Sequence, residues 1–204
     1  ISLSDLNDRE MRFAKHGEWY KDNVQRALAN NSVNYKEKPD AGTFMREWLS
    51  LYDSKSGERG IYNGLASKYH VNDLNTREKD KNGTYIQRRL VRDDFGTNPC
   101  SEIILRSRQF CNLSEVVVRS NDTRSSLRDK VRIATILGTF QSTLTNFKYL
   151  SKEWQRNCEE ERLLGVSLTG IMDSPLTNGS KDGIKTLLNE LREVAVKTNV
   201  EYAE

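Results

Sequence analysis

The chain has 204 residues, enough for one sizeable core or two small ones, and is polar for a globule, with 36% hydrophobic and 30% charged residues. Its 32 Lys and Arg against 29 Asp and Glu leave a net charge of +3, too even a balance for a nucleic-acid binder, whose basic residues cluster on one face. Three cysteines, an odd number, argue against a fully paired secreted disulfide scaffold.

The start, ISLSDLNDRE, lacks the basic and apolar regions of a signal peptide, and no apolar run approaches the roughly 20 residues needed to span a bilayer. A cytoplasmic, reducing setting without a membrane partner is the expectation. Because the chain opens at Ile1 on what looks like the end of a strand, it reads as a piece of something larger. Residues 5–29 are charged and mostly helical in pattern, and Asn30-Asn31-Ser32 ends that helix before a short strand at Val33-Asn34-Tyr35. Phe44, Trp48 and Leu51 then fall at i, i+4, i+7, the apolar stripe of an amphipathic helix that SGERGIYNG terminates. The tract 67–93 is polar and weakly patterned, with a turn predicted at Asn82-Gly83.

Beyond the cysteine-bearing stretch GTNPCSEIILRSRQFCNLSEVVVR, Glu115-Val116-Val117-Val118 is a buried-strand candidate. Residues 123–147 carry the strongest helical pattern, with Leu127, Val131, Ala134, Leu137 and Leu144 as the inner face and Asp122 or Ser125 as N-cap. Ser151 is placed to cap a helix through Glu161, Leu164–Leu168 reads as a strand closed by Gly170, and a last helix spans about 182–202. The order strand, helix, helix, strand, helix predicts parallel strands with covering helices, an α/β architecture.

The chemistry concentrates at Asn98-Pro99-Cys100-Ser101-Glu102 and at Cys111. A nucleophilic thiolate is poorly served here. A carboxylate two residues away raises a thiol's pKa, and the chain's two histidines, His16 and His70, are far off in sequence. Hydrogen-atom chemistry suits the set better. In an extended loop, residues 98, 100 and 102 project to one side at period two, so amide, thiol and carboxylate face one substrate. The amide can hold a hydroxyl, the carboxylate can take its proton, and the thiol can exchange a hydrogen atom with carbon. Pro99 stiffens the loop, and Cys111 is near enough in sequence to bring a second, reducing thiol. The spacing of Cys100 and Cys111 does not match zinc-ligand pairs, and no metal site is expected. Cys158, in the polar segment RNCEEER, reads as a half-buried thiol without a role. The cationic spots Arg88-Arg89 with Arg92, and Arg106 with Arg108, read as a solvated face or as anion contacts beside a site.

NPCSE, with the cysteine of FCNLSEVVV eleven positions after the first, resembles the active-site finger loop of ribonucleotide reductase catalytic subunits. The flanks ISLSD, RALANNSVNYKEKPDAGTFMREWLSLYDSKSGERGIYN, TILGTFQSTLTNFKYLSKEW and EEERLLGVSLTGIMDSPL are similar to the adenosylcobalamin-dependent, class II, monomeric ribonucleoside-triphosphate reductases. The resemblance implies that Cys100 is the thiyl-radical residue acting on the ribose 3′ hydrogen, and that Glu102 is the base on the 3′ hydroxyl. It further implies that Asn98 binds the substrate hydroxyls and that Cys111 is half of the redox pair that reduces the 2′ position. The implied fold is part of a ten-stranded α/β barrel with a central cysteine finger loop. Residues 1–92 would end the first half-barrel, 93–112 would form the finger loop, and 113–204 would start the second half. Adenosylcobalamin is the implied cofactor, a ribonucleoside triphosphate the substrate and a thioredoxin-like dithiol the reductant.

The family's other reducing cysteine, its phosphate-binding region and its C-terminal shuttle cysteines are absent from this sequence. The chain is therefore expected to need further segments, as in a split reductase, and to be inactive alone. Two other readings remain at this point: a segment of the di-iron-dependent class I subunit, or a small, slightly basic interaction or nucleic-acid-binding domain.

Overall fold

The computed structural model describes residues 1–77, 79–87, 89–92 and 94–203. It divides the chain into two compact units, Ile1–Ser107 and Arg108–Glu204.

In the first unit, β1 (Ser2–Ser4), β2 (Asn31–Asn34) and β3 (Gly60–Tyr62) form a parallel sheet in that order, with Ser4 beside Val33 and Val33 beside Ile61. The segment expected as one helix over 5–29 is instead broken into α1 (Arg9–Phe13), α2 (Trp19–Asp22) and a 3-10 turn at Val24–Leu28. Gly17, at φ +62°, and Asn23, at φ −139°, stand where the helical path is lost. The strand that follows starts two residues earlier than its pattern indicates, because Asn31 is tied down by its side chain: its amide donates to the Met11 carbonyl at 2.8 Å.

Helix α3 (Ala41–Ser54) forms as its periodicity predicts, capped by Asp40, whose carboxylate accepts from Thr43 N at 2.9 Å. Its buried side is not the expected one. Phe44 and Trp48 are 38% and 51% exposed, whereas Glu47 is 1% exposed. Glu47 accepts from Arg59 through both oxygens, at 2.7 and 3.0 Å, and from Arg12 at 2.9 Å. Arg59 also donates to Ser4 Oγ and to the carbonyls of Asp5 and Leu6, so one guanidinium ties the end of β1 to α3. Burial alone would raise the Glu47 pKa, but the bonds from Arg59 and Arg12 outweigh it and hold the carboxyl below its ordinary range. Breaking such a pair by deleting one partner costs about 3–5 kcal/mol, because a buried charge is left uncompensated.

The polar tract beyond β3 begins as a helix, α4 (Gly64–Leu74), capped by Asn63 and anchored by buried Ser67 and Val71. The turn predicted at Asn82-Gly83 is present. Gly83 takes φ +80° and Asp80 Oδ1 accepts from the backbone N–H groups of Asn82 and Thr84. A two-stranded antiparallel hairpin, β4 (Gly96–Thr97) and β5 (Ile104–Leu105), completes this unit.

The second unit is a parallel pair, β6 (Asn112–Val117) and β7 (Leu164–Thr169), in register from Asn112 beside Leu164 to Val117 beside Thr169. Helices α5 (Arg124–Ser142) and α6 (Lys152–Glu161) lie between the strands in sequence, and α7 (Lys181–Ala203) follows, packed on α5. The α/β order inferred from the sequence is therefore observed, as small parallel sheets with helices. Val116 and Val118 point into a core with Leu127, Val131, Ala134, Leu187 and Leu191, while Val117 between them is 40% exposed.

The N-cap of α5 is Thr123, in a reciprocal capping box with Ser126, and not Asp122 or Ser125. Leu137 and Leu144, expected on its inner face, are 62% and 72% exposed. The second half of α5 is instead buried through Thr135, Gly138, Thr139 and Ser142. A side chain at Gly138 would meet Leu164 Cδ1 at 2.1 Å, so the close approach of helix to strand selects small residues there. The helix stops at Ser142, short of the predicted 147.

Candidate active site

Pro99 presets the second position of a tight turn, and the Asn98 carbonyl accepts from Ser101 N at 3.0 Å to close it. Ser101 follows in the left-handed region, at φ +62°. The chain thus doubles back between β4 and β5, and the extended loop expected from the sequence is corrected to a turn. Side-chain alternation does not gather the three groups here. The Asn98 side chain does the gathering for two of them: its oxygen accepts from Ile103 N at 3.2 Å while its amide nitrogen donates to Glu102 Oε1. Cys100 occupies the turn itself and is exposed.

The base of this hairpin is rigidly held. Phe95 and Thr97 are buried on the strand leading into the turn. From β3, the Tyr62 hydroxyl lies 3.0 Å from the Gly96 carbonyl, to which it donates, and 2.7 Å from Ser67 Oγ. Burial raises the Tyr62 pKa, so the phenol stays a donor. On the returning strand, Arg89 donates to the Ile104 carbonyl at 2.9 Å, with its guanidinium 5.2 Å from the Phe95 ring centre. Tyr62 and Ser67 were not singled out in the sequence, and Arg89 was read there as part of a cationic spot, because nothing in a lone tyrosine or arginine announces which carbonyl it will reach.

Of the cationic spots, Arg89, Arg92 and Arg108 are engaged within the protein. Beyond Arg89, Arg92 pairs with Asp94 at 2.8 Å, and Arg108 pairs with Glu153. Burial opposes ionisation of Asp94, yet the bond from Arg92 brings its pKa below the usual value. Arg88 lies outside the described residues.

Cys111 belongs to the second unit, one residue before β6, and is half-buried. It lines a cavity of about 300 Å³ with Gln141, Thr145, Cys158 and Arg162. Cys158, expected to be half-buried, is only 7% exposed, and its sulfur accepts from Phe110 N at 3.3 Å. All three cysteines are thiols. Among the described residues, no three His, Cys, Asp or Glu side chains converge as metal ligands, and no helix is long and apolar enough to cross a membrane.

No protein-family model matches the chain. Over 152 residues it is 30% identical to the adenosylcobalamin-dependent ribonucleoside-triphosphate reductase of Lacticaseibacillus paracasei. The similar stretch covers 72% of this chain but 18% of that enzyme, so the chain spans a small part of the relative it matches.

Proposed function

We propose that the chain is a segment of the catalytic barrel of an adenosylcobalamin-dependent ribonucleoside-triphosphate reductase, with residues 93–112 as its finger loop. The observation that carries this reading is the Asn98–Glu102 hydrogen bond across a turn on which Cys100 is exposed. The similarity to a cobalamin-dependent reductase supports the same class over the di-iron one.

In this reading the exposed Cys100 thiol gives up its hydrogen atom to an initiator arriving from outside the hairpin. Its sulfur radical then takes the 3′ hydrogen of a ribose. Glu102, already oriented by Asn98, accepts the proton of the 3′ hydroxyl, and Asn98 holds the substrate hydroxyls. Cys111 supplies one thiol of a pair whose oxidation to a disulfide provides the two electrons that reduce the 2′ carbon as its hydroxyl leaves as water, and a thioredoxin-like dithiol reduces that disulfide again. Adenosylcobalamin, when bound, supplies the initiating radical. The exposure of Cys100 fits such an initiator, while no described residue is assigned to hold the corrin. The ten-stranded barrel, the ribonucleoside triphosphate and the cytoplasmic setting belong to the same proposal.

The test is deoxynucleotide formation by the chain together with the remaining barrel segments, adenosylcobalamin, a ribonucleoside triphosphate and a dithiol. Product is expected from the combination and not from the chain alone. Cys100→Ser should lower turnover at least about 1,000-fold, as befits loss of the only group that breaks the C–H bond. Turnover surviving in that variant would refute the radical assignment.

A further inference from the structure

Two of the three cysteines, Cys111 and Cys158, line one cavity in the second unit, at a place with no part in the hairpin. Helix α6 ends at Glu161, and Arg162 turns the chain left-handed at φ +42° to deliver it into β7. The β6–β7 register then begins at once, with Asn112 beside Leu164 and Asn112 N donating to the Leu163 carbonyl at 3.0 Å. These constraints bring the last turn of α6 against residues 109–111. The Cys158 sulfur consequently lies 3.3 Å from Phe110 N and 4.0 Å from Phe110 O, against the residue that precedes Cys111. Gln109 reinforces the same seam by donating to the Asn157 carbonyl at 3.2 Å.

We propose that Cys111 and Cys158 form a dithiol that closes to an intrachain disulfide. A disulfide requires α-carbons about 4.4–6.8 Å apart, and the Cys158 sulfur, in contact with the backbone of the residue before Cys111, makes the two cysteines near neighbours on one cavity wall. The cavity of about 300 Å³ that both cysteines line gives a small disulfide reagent room to enter. In the first step the Cys111 thiolate attacks the external disulfide, forming a mixed disulfide and releasing one thiolate. In the second, the Cys158 sulfur attacks the Cys111 sulfur, forming the intrachain bond and releasing the other thiolate. The two protein thiols lose two protons and two electrons, and the external disulfide becomes two thiols. The cavity lies wholly in the second unit, so the pairing stands or falls independently of the radical chemistry proposed for Cys100. It gives Cys111 a redox partner within this chain.

The experiment treats the reduced full chain with oxidised glutathione, blocks remaining thiols with an alkylating agent and analyses tryptic peptides without reduction. Cys100, Cys111 and Cys158 fall on different tryptic peptides, so each pairing is read separately. The expected result is a fall from three thiols per chain to one, with a Cys111–Cys158 cross-linked peptide and an alkylated Cys100. Cys100→Ser should leave the cross-link intact, while Cys111→Ser and, independently, Cys158→Ala should abolish it. Circular dichroism of each variant separates lost pairing from lost folding, and the wild-type cross-link alone decides should a variant unfold. Alkylation of both Cys111 and Cys158 in the oxidant-treated wild-type chain, or pairing of Cys111 with Cys100, would overturn the proposal.

Discussion

At the N-terminal end of α5, Asp122 accepts from Lys130 Nζ, Ser126 Oγ and Arg119 N, each at 2.7 Å. The Lys130 and Ser126 bonds lower its pKa from 3.8 to about 2. A carboxyl depressed in the folded state stabilises the fold above its unfolded pKa, and that contribution is lost as pH falls through the folded value. Stability should therefore decline as pH drops from 3.8 toward about 2. Asp122→Asn should flatten this part of the acid-unfolding curve, followed by circular dichroism, and an equally steep limb in the variant would contradict the assignment. Glu47 belongs to the same scale. Its burial with Arg59 and Arg12 was invisible in sequence, where a glutamate between Met45 and Trp48 reads as the solvent side of an amphipathic helix.

Among the elements, the β4–β5 hairpin matters most for function, and it is too short to hold itself. Two paired residues on each side give a ladder that is marginal in water, so anchoring must come from elsewhere. Tyr62 and Arg89 provide it by binding the Gly96 and Ile104 carbonyls. Tyr62→Phe should cost about 1 kcal/mol in urea unfolding, since it leaves a partly buried carbonyl without its tyrosine donor. Amide exchange at residues 96–105 should quicken with it, and unchanged exchange there would mean that the hairpin is held by other contacts. The sequence was read as an extended loop here, although Asn98-Pro99 are turn-forming residues. An extended loop and a tight turn share the same residues, and only the Asn98–Ile103 and Asn98–Glu102 bonds decide between them.

Across the whole molecule, the charge is nearly balanced, and many cations are already paired. Lys15 with Glu58, Arg124 and Arg128 with Glu190, and Lys130 with Asp122 are examples in both units. Paired cations release few counterions on meeting a polyanion, so the salt dependence of such binding should be shallow. The chain should elute from a heparin column at or below about 0.2 M salt, under conditions where a nucleic-acid binder with several phosphate contacts is still retained. Firm retention that falls steeply with salt would revive the nucleic-acid reading.

The sequence by itself determined those features in which a local pattern leaves one solution. The helices α3, α5, α6 and α7, the strands β6 and β7 and the turn at Asn82-Gly83 are of this kind. Tertiary structure decided whatever depends on partners distant in the chain. It buried Glu47 in place of Phe44 and Trp48, put Gly138 in place of Leu137 against the strand, and set Cys158 beside Phe110. The physical reason is common to all three. Periodicity states which residues share a face, but the charge, size or sulfur that meets that face comes from residues 12, 26 and 48 positions away.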